Sequence, residues 1–235
     1  MKTIGLIGGM SWESTMPYYR QINQTIKAHL GGLHSAKLIL VSVDFHEIEA
    51  LQRAGNWDAA GAEMAKAARS LNAAGADFVV LCTNTMHKVA QAIEAAVDIP
   101  LLHIADATAT ALKQAGIERV GLLGTRFTME QGFYKDRLTQ DHSLEVITPA
   151  VIQRDAVHRI IYEELCLGTI RSESRQVYQD VMAELVAQGA QAIILGCTEI
   201  SLLVGEEDST VPLFDTTCIH ARAAALHALT ERHAT

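Results

Sequence analysis

Aromatic residues are scarce in this chain, 5% of 235, and there are four cysteines, Cys82, Cys166, Cys197 and Cys218. Four scattered thiols are too few for a disulfide framework, so a reduced, cytoplasmic protein is expected. Clustered cations are also missing. The formal charge is −8 and no run of Lys and Arg occurs, which argues against a nucleic-acid or acidic-membrane partner, because phosphate binding needs grouped positive charge. No apolar stretch approaches the ~20 residues of a membrane span, and the amino terminus enters a strand directly, without a signal-peptide pattern. Ten histidines lie dispersed without ligand spacing, so no metal is expected. Gly5, Gly8 and Gly9 do not complete a dinucleotide fingerprint; the turn they make lets the backbone approach a ligand instead.

With 49% hydrophobic and 20% charged residues, the chain has ordinary globular composition and length for one or two domains. Short apolar runs read as strands at Ile4–Ile7, Leu38–Val43, Phe78–Cys82, Leu101–Ile104, Val120–Leu123, Ala192–Leu195 and Leu213–Phe214. Between them lie helical stretches near Ser14–Leu30, Trp57–Ala74, Thr85–Ala96, Thr108–Gln114, Met129–Thr139, Gln153–Leu167, Glu173–Gln188 and His220–Arg232. Alternating β and α segments, with strands lacking polar alternation, predict parallel sheets covered on both faces.

An internal repeat organises these elements. Gly75-Ala76-Asp77-Phe78-Val79-Val80-Leu81-Cys82-Thr83-Asn84-Thr85 superimposes on Gly189-Ala190-Gln191-Ala192-Ile193-Ile194-Leu195-Gly196-Cys197-Thr198-Glu199 at an offset of 114 residues. Lys2–Gly9 resembles Glu118–Thr125, and Ile99–Leu102 resembles Val211–Phe214, in the same order and at nearly the same offset. A period this long indicates two α/β lobes and not a solenoid. The predicted fold is two pseudo-symmetric three-layer lobes with mainly parallel sheets and the active site in the cleft between them. Residues 1–103 with 207–235 form the first lobe, and 104–206 the second.

The repeat makes Thr83 and Cys197 equivalent, each just past a strand and just before a helix. Ligands of open α/β sheets lie beyond the carboxyl ends of the strands, where helix amino termini attract anions. A thiol there can fall from ~8.5 to ~3.5–7.5, so Cys197 is expected to be an activated thiolate. Cys82, Cys166 and Cys218 read as small buried hydrophobes. Neighbouring strand side chains point to opposite faces, so Cys82 should enter the core if Thr83 faces the ligand. His87 follows Asn84-Thr85-Met86 and is the histidine placed near the cleft, or else a capping residue. Trp12 and Glu13 line either the cleft mouth or an interface.

Gly8-Gly9-Met10, Asn84-Thr85-Met86-His87 and Gly196-Cys197-Thr198-Glu199 resemble the signatures of the aspartate/glutamate racemase family, closest to its aspartate-racemase branch. The resemblance covers the whole chain and implies a cofactor-independent amino-acid racemase with two pseudo-symmetric lobes, commonly a homodimer. It implies catalytic roles for Thr83 and Cys197 and substrate-binding roles for Met10, Gln52, Asn84, Thr85, Thr125, Cys166, Thr198 and Glu199. Asn84, Thr85 and Thr198 are candidate donors to the substrate carboxylate, or helix caps, or both. The chain departs from the family pattern where Thr83 replaces a cysteine, and where Gln52 and Cys166 replace basic residues; Arg53 is a candidate substitute. An L-preferring aspartate or glutamate racemase follows, with a neutral polar amino acid such as homoserine as competing substrate. A single-thiol decarboxylase or isomerase of the same superfamily, and a weakly catalytic amino-acid-binding protein, remain as alternatives.

Overall fold

The computed structural model describes residues 1–230. The chain divides into two compact units, Met1–His103 joined by the chain from His220 onward, and Ile104–Ile219.

In the first unit, strands β1 (Ile4–Gly8), β2 (Leu38–Ser42), β3 (Phe78–Leu81) and β4 (Leu101–Leu102) form one sheet in the order β2-β1-β3-β4. All its pairings are parallel. Helices α1 (Trp12–Leu30), α2 (Phe45–Arg53), α3 (Trp57–Ala73) and α4 (Ala90–Glu94) connect them. The side chains obey the two-residue period of a strand. Ile7, Val79 and Leu81 enter a core with Met64, Ala67, Ala68 and Leu71 of α3. Ile4, Leu6, Phe78, Val80 and Cys82 enter the opposite core, with Tyr18, Ile22 and Ile26 of α1 and Ala221, Ala224, Ala225 and Ala228 further along the chain. Small alanines at helical spacing let those helices lie close on the sheet.

The second unit repeats the plan. Its strands β5 (Arg119–Gly124), β6 (Glu145–Ile147), β7 (Ala192–Gly196) and β8 (Leu213–Asp215) form a parallel sheet in the order β6-β5-β7-β8. Its helices are α5 (Ile104–Gln114), α6 (Arg126–Glu130), α7 (Gly132–Asp136), α8 (Val151–Glu163) and α9 (Ser172–Ala187), followed by α10 (Thr216–Leu229), which carries the chain back to the first unit. Leu123, Ile193, Leu195 and Cys197 pack with α8 and α9. Val120, Leu122, Ala192 and Ile194 pack with α5 and with Tyr134 and Leu138 on the other face.

Several expectations need correction. The second seam lies at His220, not near 207, because β8 pairs with β7 and the backbone ladder keeps residues 207–219 in the second unit. The parts of that segment and of the last helix beyond residue 230 lie outside the described residues. Helix α2 and strand β6 are additional elements, and the stretch expected as one helix near Met129–Thr139 is α6, α7 and a π turn at Arg137–Asp141. Among the described residues no helix is long and apolar enough to cross a membrane.

Gly9, directly after β1, has φ +93°, and a Cβ there would meet the Val43 carbonyl oxygen at 2.3 Å. Gly55 has φ +70° with no atom within 4 Å of such a Cβ. Gly9→Ala should therefore lower the melting temperature several-fold more than Gly55→Ala. The latter carries only backbone strain of about 1 kcal/mol or slightly more, worth roughly 2–4 °C at this chain length. Thermal unfolding followed by circular dichroism checks the ranking; equal losses would show that the Val43 contact is not decisive.

Candidate active site

Within the first unit, the adjacent strands β1 and β3 deliver their following residues to one sheet edge, the carboxyl-terminal one where ligands of parallel sheets bind. Met10 follows β1 and is buried in the α3 core. Thr83, Asn84 and Thr85 follow β3 and are all buried. Cys82 is fully buried among Ile4, Leu6 and Phe78, and burial pushes its thiol far above the ordinary 9.0. Cys82 thus enters the core, as its place in the strand period predicts.

No α-helix begins at Thr83. The chain enters a 3-10 turn, Thr85–Val89, before α4, and Asn84 makes no side-chain capping bond to it. The Thr83 N–H donates to the Leu81 carbonyl at 2.9 Å, and the His87 N–H to the Asn84 carbonyl at 3.1 Å. His87 is buried, and its Nδ1 lies 2.7 Å from the Thr83 carbonyl oxygen. Gln52, on the buried side of α2, donates from Nε2 to Met86 Sδ at 3.0 Å. Arg53 points outward, 3.7 Å from Glu49. Trp12 is exposed, at the start of α1.

The second unit has the equivalent edge at β5 and β7. These strands run unusually close there: a Cβ on Gly124 would meet the Gly196 carbonyl at 2.8 Å, and one on Gly196 the Leu123 carbonyl at 2.7 Å. Thr125 caps α6, accepting from the Thr128 N–H at 3.3 Å. Cys197 follows Gly196, on the face of Ile193 and Leu195. Its Sγ donates to Glu199 Oε2 at 3.2 Å, and the Thr198 hydroxyl donates to the same oxygen at 2.7 Å. Cys166, on a 3-10 turn at Leu165–Leu167, is half-buried against the core that holds Cys197.

The thiolate expected at Cys197 is overturned. The helix that should have stabilised it is a 3-10 turn of three residues, Ile200–Leu202, too short to present aligned free N–H groups. Burial pushes the Cys197 thiol well above its ordinary 9.0, and the Glu199 carboxylate and then Cys166 raise it further. The Cys197 thiol directs its hydrogen bond at the Glu199 carboxylate. Tyr178 shares this core, and burial likewise holds its phenol well above the ordinary 10.0.

Met10, Gln52, Thr83, Asn84 and Thr85 thus belong to one unit, and Thr125, Cys166, Cys197, Thr198 and Glu199 to the other. The residues named on motif grounds lie largely at the carboxyl edges of the central strands. Sequence reasoning missed the bond from Glu199 to the thiol and the buried grouping of His87, His103, His220 and Tyr18. The spacing of two between Cys197 and Glu199 was visible, but not that the intervening turn folds the carboxylate back.

A family model described as Asp/Glu/Hydantoin racemase matches residues 7–224. The chain belongs to the Asp/Glu/hydantoin racemase family. It is accordingly an isomerase of the amino-acid racemase type. A solved Yersinia pestis structure, described as a candidate Asp/Glu racemase, is 65% identical, with a TM-score of 0.91 over 98% of this chain and 100% of that one. An aspartate racemase homologue from Pyrococcus horikoshii is 32% identical, with a TM-score of 0.84 over 98% and 100%. The broad specificity amino-acid racemase RacX of Bacillus subtilis is 27% identical over 68% of this chain and 70% of its own.

Because the thiolate is the form that alkylates, Cys197 of this racemase should react slowly with iodoacetamide at neutral pH and accelerate only in the alkaline range. Glu199→Gln removes the neighbouring anion and should move that acceleration to lower pH. Cysteine-resolved mass spectrometry across a pH series measures both. An unchanged or alkaline-shifted profile in Glu199→Gln would show that Glu199 does not govern the thiol.

Proposed function

We propose that this racemase inverts the Cα of an acidic amino acid, aspartate or glutamate, without a cofactor, using Cys197 and Thr83 as its two proton-transfer groups. The observation that carries the reading is the bond from the Cys197 thiol to Glu199 at 3.2 Å. A buried thiol is a poor base until its proton has somewhere to go, and Glu199 is in place to take it. The resulting thiolate removes the Cα proton of the L enantiomer. The Thr83 hydroxyl gives its proton to the opposite face of Cα and recovers one from solvent, while Glu199 releases its proton and Cys197 keeps the one taken from Cα, as at the start.

With no electron sink in the reading, the charge that develops on the substrate carboxylate falls to neutral donors. Asn84, Thr85 and Thr198, each buried and beside the proton-transfer residues, are the candidates, with Met10 and Thr125 lining the same strand edges. Gln52 and Cys166 offer no positive charge to a substrate side chain, which keeps a neutral polar amino acid such as homoserine in contention. A cytoplasmic homodimer belongs to the same reading. Trp12, Met16 and Tyr19 form an exposed apolar stripe along α1 that a second copy would cover.

The pair is chemically unequal, and this sets the test. A Thr hydroxyl is far weaker as an acid than a thiol, so its conjugate base is scarce near neutrality. Solvent deuterium should enter the Cα of L-aspartate or L-glutamate much faster than that of the D enantiomers. The overall L/D equilibrium stays unchanged, because the asymmetry is purely kinetic. Cys197→Ser or Cys197→Ala should lower exchange by about 10²–10⁴-fold, the usual worth of a general acid or base, and Thr83→Cys should raise the D-directed rate. Proton NMR in deuterated buffer, started separately from each enantiomer, reads these exchange rates. Equal exchange from both enantiomers in the wild type rejects the unequal pair, and loss on Cys82→Ala comparable to Cys197→Ala would assign the wrong thiol.

A second reading has one observation in its favour: of the two proposed proton-transfer residues only Cys197 is a thiol, Thr83 holding the equivalent place, as a decarboxylase protonating one face requires. Release of CO₂ from a substituted malonate, without exchange in any amino acid, would establish it.

A further inference from the structure

His87 has no part in the proton transfers above, yet it is the side chain bonded to the backbone of Thr83. In an α-helix the N–H of residue 87 would serve the carbonyl of residue 83. Here the 3-10 turn sends that N–H to Asn84 instead, and the His87 ring supplies the donor for Thr83, with Nδ1 2.7 Å from the oxygen. A carbonyl only accepts, so Nδ1 carries a proton.

The ring is held from outside its own turn. His103, just after β4, meets it edge-on with centroids 4.4 Å apart, and His220 of α10 does so at 6.0 Å. His220 is fixed in turn: its Nε2 lies 2.8 Å from the Leu102 carbonyl and its Nδ1 2.9 Å from the Tyr18 hydroxyl. The same rule puts the proton of His220 on Nε2, with Tyr18 donating to Nδ1. His103 and His220 thus flank the imidazole whose Nδ1 meets the Thr83 carbonyl, and Leu102 and Tyr18 fix His220 behind it.

We propose that His87 is a positioning residue for Thr83: its Nδ1–H holds the Thr83 carbonyl, and through it the turn that presents the Thr83 hydroxyl. His103, His220 and Tyr18 keep the imidazole in the orientation this needs. The proposal rests on the racemase reading. A 3-10 turn has weaker internal hydrogen bonds than an α-helix, so a side-chain brace on the Thr83 carbonyl, just ahead of the turn, fixes the backbone from which the Thr83 hydroxyl projects. A misplacement of about 1 Å is enough to cost 10²-fold in a proton transfer.

The test uses the fate of one intermediate. In deuterated buffer, L-aspartate or L-glutamate deprotonated by Cys197 either takes deuterium back from that side, staying L, or receives it from the Thr83 side and becomes D. The ratio of deuterated D product to deuterated L substrate reports the Thr83 step alone, and is unmoved by a smaller amount of folded enzyme. His87→Ala and His87→Gln, whose amide nitrogen takes the place of Nε2, should lower this ratio by about tenfold or more. His87→Asn, whose amide nitrogen takes the place of Nδ1, should keep it within about threefold of the wild type. An unchanged ratio in His87→Gln, or a loss in His87→Asn as large as in His87→Gln, overturns the positioning role and leaves the racemase reading standing. Wild-type protein that exchanges no amino acid overturns both. Should the variants fail to fold, ¹⁵N NMR of the wild-type ring decides: an Nδ1-protonated tautomer at His87 supports the assignment and an Nε2-protonated one ends it.

Discussion

Both units are organised by the two-residue period of parallel strands that are covered on each face. In β3 the period sends Phe78, Val80 and Cys82 to the α1 and α10 side, and Val79 and Leu81 to the α3 side. In β7 it sends Ala192 and Ile194 one way, and Ile193, Leu195 and Cys197 the other. A single-residue slip in either strand would exchange the faces of every side chain. Cys82 would then stand where Thr83 stands, and Gly196 where Cys197 stands. The chemical identity of the site therefore depends on the register of two apolar ladders.

The glycines follow from the same geometry. Gly124 and Gly196 bring the carboxyl ends of β5 and β7 closer than a Cβ permits, and Gly9 turns the chain after β1 where a side chain would strike Val43. These positions leave backbone rather than side chain at the carboxyl ends of the strands.

Burial and a neighbouring carboxylate act together on Cys197. Desolvation favours the neutral thiol, and the Glu199 anion favours it further, so the resting pair keeps its proton on sulfur. The same carboxylate is also the nearest acceptor for that proton. A buried thiol beside a buried carboxylate holds one negative charge between two atoms, and a substrate that adds hydrogen-bond donors can shift where it resides. The equivalent position in the first unit, Thr83, carries a hydroxyl in place of the thiol.

The internal repeat, the parallel α/β class and the placement of Thr83 and Cys197 at strand ends were all legible in the sequence, because each rests on local apolar period and on motifs of neighbouring residues. Cys82 was assigned to the core by the same period. Other features were decided only in the tertiary structure. Helix α2 spans nine residues and forms where Ile48 and Gln52 can pack, since so short a helix has little stability of its own. Strand β6 is a three-residue edge with one buried side chain. The seam at His220 is a matter of which sheet β8 joins. The 3-10 turns after Thr83 and Cys197 replace the helix ends that motif reasoning assumed, and with them went the expected thiolate. The bond from Cys197 to Glu199 depends on how a turn closes, and the convergence of Tyr18, His87, His103 and His220 joins residues up to 202 positions apart. Sequence patterns report which face of an element is apolar; they carry no record of how deeply a thiol is buried or which distant side chain meets it, because those are set by the packing of whole elements against one another.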